Sequence, residues 1–160
     1  RVMDIVRASS SMPFASPVTY VDGMPMLDGG IADSIPVEYA MRQGYEKIVV
    51  VLTRNKGYRK KPGTMPLRKI FYRKYPQLQK ALAERNAVYN RTMDLIERLE
   101  DEGRIMVIRP EKPVVVGRME KDTAKLTELY VEGYEVTRKF LNEEKLSEKD
   151  EQQEHLVRFQ

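Results

Sequence analysis

Lys47 to Arg54, KIVVVLTR, holds an unbroken apolar run from Ile48 to Leu52, rich in β-branched residues and closed by polar ones at both ends. β-Branched side chains fit a pleated strand better than a helix. With apolar residues on consecutive positions, neither face is left polar. The run therefore predicts a strand buried on both faces, as in a parallel sheet with helices on each side.

Upstream, Gly44 is a natural C′ residue for a short helix, PVEYAMRQ, with Pro36 at its first position and Ser34 as the capping candidate. Before it, VTYV and MPML flank Asp22-Gly23, the pair a type I′ hairpin turn needs because both central residues take positive φ. Pro25 makes the second strand an edge or a very short one. Residues 2–9, VMDIVRAS, read as the last turns of a helix with Val2, Ile5 and Val6 on one face, and SSMPFASP as a turn-rich connector.

Downstream, residues 54–66 form a basic loop punctuated by Gly57, Pro62, Gly63 and Pro66. A helical region follows from about Leu67, is interrupted at Pro76, and runs from Gln77 to Glu100 with an apolar stripe of Leu78, Leu82, Val88, Met93, Leu95, Ile96 and Leu99. Gly103 ends it. RIMVIRP is a second short strand, and Asp122 caps an amphipathic helix reaching Leu141, with Leu126, Leu129, Tyr130, Tyr134 and Phe140 facing inward. From Asn142 the chain is polar, a solvated helix extension or a frayed tail. Strand, helix and strand in this order make the fold class α/β, layered, with a helical C-terminal portion. The expected segments are 1–54, a core with the hairpin and buried strand; 55–143, basic loop, helices and short strand; and 144–160, a polar tail.

The chain has 160 residues, enough for one domain with a real core, and its 41% hydrophobic and 32% charged composition is ordinary for a soluble protein. Without cysteine, a disulfide framework, a thiolate metal site and a Cys nucleophile are excluded. The run of apolar residues is far short of a membrane span. The chain opens RVMDIV, without an initiator Met, and is expected to be a piece of something larger. His155, the only histidine, sits in the polar tail, which argues against a Ser-His-Asp triad or a histidine metal site.

A second Asp-Gly follows the hairpin, Asp28-Gly29-Gly30. A turn there needs one glycine; two behind an acid point to a backbone that passes close to something or takes unusual φ/ψ. Two readings of Asp28 stand: an acid capping its own turn, or a carboxylate set at a strand end to face a cleft.

RASSSMPF, SPVTYVDGMPMLDGG and SIPVEYAMRQGYEKIVVV, in that order over about residues 6–54, resemble the core of the patatin-like phospholipases, in their bacterial branch. Weaker similarity continues through LTRNKGYRKKP into the C-terminal helices. The resemblance implies part of a three-layer α/β/α domain and a lipid acyl hydrolase using a Ser-Asp dyad, a phospholipase or esterase of lipid degradation. The base is the Asp of Asp-Gly-Gly, a role that falls here on Asp28, with Gly29 and Gly30 letting the backbone pass beside the nucleophile. A free aspartate, with a pKa of about 3.9, is a weak base for a serine hydroxyl and needs positioning and an oxyanion hole.

The family's nucleophile sits in Gly-x-Ser-x-Gly, and no such motif occurs among Ser9, Ser10, Ser11, Ser16, Ser34 and Ser147; the glycine-rich oxyanion turn is missing too. In the family both precede the Asp segment, so the chain resembles a C-terminal fragment that carries the base and is inactive alone. Asp33 stands where many relatives carry Asn. The implied partner is a lipid or acyl ester substrate, with no cofactor and no metal. The implied location is cytoplasmic and peripheral to the membrane.

One stretch is basic without an acid: Arg54, Lys56, Arg59, Lys60, Lys61, Arg68, Lys69, Arg73 and Lys74, interleaved with Tyr58, Phe71, Tyr72 and Tyr75. It reads as a solvated face, as a membrane-surface patch centred on Arg59, Lys60 and Lys61, or, least favoured, as a nucleic-acid contact. A non-catalytic binding module using residues 54–74 is accordingly the alternative to the hydrolase.

Overall fold

The computed structural model describes residues 1–63, 68–117 and 119–157; for residue 68 and residues 144–157 it describes the backbone alone. The chain is of mixed α/β class and divides into two compact units, Arg1–Glu46 with Arg59–Arg98, and Lys47–Tyr58 with Leu99–Gln160.

In the first unit, α1 (Val2–Ser9) leads to the hairpin of β1 (Thr19–Val21) and β2 (Met24–Met26), paired Thr19 to Met26 and Val21 to Met24. Asp22 and Gly23 take φ of 48° and 79°, so this turn is the one the dipeptide predicts. Thr19 and Val21 face inward, while β2, the strand with Pro25, is exposed throughout. Val2, Ile5 and Val6 do share a face of α1, and it is exposed.

A 3₁₀ turn, Gly29–Ile31, precedes α2 (Val37–Arg42). Here the expected cap fails: Pro36, not Ser34, is the N-cap, because the Ser34 hydroxyl donates to the Gly30 carbonyl at 2.9 Å instead. Gly44 closes the helix at φ 80° as expected. A short α3 (Arg68–Phe71) and the long α4 (Pro76–Asp101) follow. Leu82, Tyr89, Met93 and Ile96 of α4 are buried; Tyr89 was not part of the predicted stripe. The core under the Asp28 loop consists of Ile31, Tyr72 and Leu82, with Leu27, Tyr75, Leu78 and Ala81 packed against them.

In the second unit β3 (Val49–Val51) runs parallel to β4 (Met106–Ile108), Val50 beside Val107. The parallel pairing is as expected; the burial is not. Val50 is buried, but Val49 and Val51 are 47% and 70% exposed. Burial on both faces needs cover on both faces, and in this two-stranded sheet alternate side chains stay open.

The end of α4 shows why Gly103 was legible. With φ 66° it lets its own N–H reach the Glu100 carbonyl and the Arg104 N–H reach that of Leu99, both at 2.9 Å. Beyond β4, Asp122 caps α5 (Thr123–Val157), its Oδ1 accepting from the N–H of Ala124 at 3.0 Å. The helix runs past Leu141 as far as Val157, so over the described residues the polar segment is a helix extension. Of its expected inward residues only Leu129 and Phe140 are half-buried; Leu126, Tyr130 and Tyr134 are exposed. Within this unit α5 packs on β4, and a three-residue strand covers little of a long helix.

Candidate functional site around Asp28

Asp28 stands where β2 gives way to the 3₁₀ turn. Its N–H donates to the Ser11 carbonyl at 3.0 Å, which ties the strand end to the connector after α1. Its Oδ1 accepts from the Gly30 N–H at 2.7 Å, and its carbonyl accepts from the Ile31 N–H at 3.2 Å. The turn-capping role is therefore met. It occupies one carboxylate oxygen. Oδ2 takes no hydrogen bond among the described residues, and the side chain is half-buried.

Of the two readings of the doubled glycine, positive φ is not the one met, since neither Gly29 nor Gly30 has it. Gly30 is needed for a close approach: a Cβ there would stand 3.1 Å from Asp28 Oδ1. At Gly29 a Cβ would meet nothing within 4 Å.

The turn is held from below and from the side. Ile31 plugs it into the core. The Gly30 carbonyl accepts Arg85 Nε at 3.0 Å as well as the Ser34 hydroxyl. Arg85 was missed in the sequence, although a signal was there: it falls between Leu82 and Tyr89, three and four residues away, on the apolar side of α4. A cation on that face calls for a partner.

Asp33 and Ser11 are engaged elsewhere. Asp33 Oδ1 accepts from the Ile35 N–H at 3.2 Å in a turn of its own. Ser11, buried, donates to the Arg7 carbonyl at 2.7 Å and shares a 3.1 Å bond with the Thr19 hydroxyl. Among the described residues no serine hydroxyl bonds to Asp28, and no group of three or more His, Asp or Glu side chains is placed to hold a metal ion. The His155 side chain lies outside the described residues.

The basic stretch divides between the two units. Arg54 and Lys56 lie in the second unit: Arg54 stacks over Tyr58 and donates to the Val114 carbonyl, and Lys56 pairs with Asp101 at 3.1 Å, a hydrogen bond that raises its pKa. In the first unit Arg59 grips α4 with a fork. It reaches Asp94 Oδ1 at 2.7 Å and Glu97 Oε2 at 2.8 Å, and the Glu97 carboxylate, with Asp94, holds the guanidinium further into its charged form. Lys60 lies 3.8 Å over the Tyr89 ring, and Asn90 and Asn86 bind the backbone of Lys60 and Lys61. Arg59 and Lys60 are thus tied to α4. Lys69, Arg73 and Lys74 carry no such bond among the described residues. The Arg68 side chain and residues 64–67 of the basic loop lie outside the description.

Among the described residues no helix is long and apolar enough to cross a membrane. Residues 75–146, most of α4 together with β4 and much of α5, match a family model described as "Domain of unknown function (DUF6363)". A stretch of 52 residues is 46% identical to "Uncharacterized protein YjjU" of Escherichia coli; it covers 32% of this chain and only 15% of that protein. Residues 1–41, the part that holds α1, the hairpin and the Asp28 turn, match the model of the patatin-like phospholipases.

Proposed function

We propose that this chain carries the base of a Ser-Asp lipid acyl hydrolase, Asp28, and that the serine nucleophile and the oxyanion-hole turn belong to a part of the parent protein upstream of Arg1. The patatin-like match of residues 1–41 supports the hydrolase class. The observation that carries the role of Asp28 is its divided carboxylate, with Oδ1 fixed by the Gly30 N–H and Oδ2 without a hydrogen bond.

In the reaction, Oδ2 takes the serine proton as the serine oxygen attacks the ester carbonyl carbon. Collapse of the tetrahedral intermediate breaks the ester bond, and the departing alcohol oxygen takes that proton from Asp28. Water then repeats the sequence on the acyl-enzyme and releases the fatty acid. The fixed Oδ1 matters because a base contributes only when it is held in reach of the proton. The substrate is a lipid ester, and the site of action is a membrane surface on the cytoplasmic side. By itself the chain binds no nucleophile to its base and is inactive.

Asp28→Asn in the full-length parent tests the assignment. The amide oxygen still accepts from Gly30, so the turn persists while the proton acceptor is lost. Ester hydrolysis should fall by about 10²- to 10⁴-fold with an unchanged unfolding midpoint. Retained hydrolysis would remove Asp28 from the mechanism.

A further inference from the structure

We propose that α3 and the aromatic residues packed beside it form the face that this protein lays on an anionic lipid surface. Two kinds of cation follow one another along the basic stretch. Arg59 and Lys60 are held by α4, whereas Lys69, Arg73 and Lys74 are exposed and carry no ion pair among the described residues. Between these three lie Ile70 and Phe71, 74% and 64% exposed. Large apolar side chains that open, on a helix of one turn, contribute little to a core.

They are nonetheless held in place. Tyr72 is buried, and its hydroxyl oxygen accepts the Phe14 N–H at 2.8 Å. That bond keeps Phe14 at φ 65°, a conformation bulky residues avoid. The Phe14 ring then lies 5.8 Å from Phe71, edge to face, and 5.2 Å from Tyr72. Just after α3 in the chain, the Tyr75 hydroxyl meets that of Tyr20 at 3.4 Å. Lys69, Ile70, Phe71, Arg73, Lys74 and Tyr75 line an open cleft of about 480 Å³.

An apolar centre of Phe14, Ile70 and Phe71 with a basic rim is complementary to a bilayer interface. The rings and Ile70 enter the headgroup boundary while the three cations meet anionic headgroups, each worth about fivefold in affinity. Tyrosine hydroxyls suit the same depth. Nucleic acid would use the cations and could stack on rings, but gives no use to Ile70.

This inference rests on the hydrolase reading, and binding can be measured apart from hydrolysis. The full-length protein is sedimented with vesicles of phosphatidylcholine alone and with added phosphatidylserine. Wild type should bind the anionic vesicles, less so as salt rises. Lys69→Glu, Arg73→Glu and Lys74→Glu combined should weaken this by about a hundredfold or more. Ile70→Ser with Phe71→Ser, which keeps every charge and alters only exposed side chains, should weaken it by tenfold or more. Asp28→Asn should sediment like wild type, so a failed base assignment leaves this result standing. No binding by wild type, full binding by either surface variant, or capture of an oligonucleotide in preference to vesicles would overturn the inference, even if hydrolysis of a water-soluble ester persisted.

Discussion

Asp28 commits one oxygen to its own turn, and the distance from that oxygen to Gly30 makes the two glycines inequivalent. At Gly30 an added methyl would stand 3.1 Å from Oδ1, so the carboxylate must move by a few tenths of an ångström; φ is not positive, so the backbone itself accepts alanine. Gly30→Ala should therefore change stability by less than about 1 kcal/mol. In the parent protein it should cost roughly tenfold in kcat with KM little altered, because it displaces the base rather than the substrate. Gly29→Ala should leave the unfolding midpoint of the chain unchanged, since nothing lies within 4 Å. A Gly30→Ala enzyme with full kcat would show that Oδ1 does not position the base. The sequence marked Asp28 as notable, but a doubled glycine does not say whether φ or a close neighbour requires it.

At the scale of elements, local signals were legible wherever one dipeptide or one cap decided the outcome: Asp22-Gly23 for the hairpin, Gly44 and Gly103 for helix ends, Asp122 for the start of α5. Ser34 misled because its hydroxyl had a better acceptor in the Gly30 carbonyl, which only the folded turn presents. The same limit hid the division of the basic stretch, since Asp94 and Glu97 lie more than thirty residues from Arg59. That fork fastens the loop to α4. Arg59→Met should lower stability by about 1–2 kcal/mol, the usual range for hydrogen bonds to charged groups reduced for the exposure of Asp94. Arg59→Lys should recover only part of it, for want of the second donor. Urea midpoints decide the matter, with Lys74→Met as the comparison; equal midpoints for Arg59→Met and Lys74→Met would make the fork irrelevant to the fold.

For the molecule as a whole, class and parallel pairing followed from the β-branched run, but the faces did not. Whether a strand is buried on both sides depends on what is packed on each side, and no local pattern contains that. Val49 and Val51 in one unit, and Val2, Ile5 and Val6 in the other, are apolar surfaces left open within their own units. On the proposal that the parent protein supplies the nucleophile from an upstream segment, the stripe on α1 is the surface for that segment to cover. Exposed helix amides exchange quickly unless packing raises the cost of opening. Hydrogen exchange at Val2–Ser9 should then be fast in the isolated chain and slowed by ten- to a hundredfold in the full-length protein, whereas the exposed α3 should differ little between the two. Replacing Val2, Ile5 and Val6 with serine should abolish that protection and with it the hydrolysis. Equal exchange in both proteins would mean that α1 meets nothing upstream, and the base would then have no serine brought to it by this route.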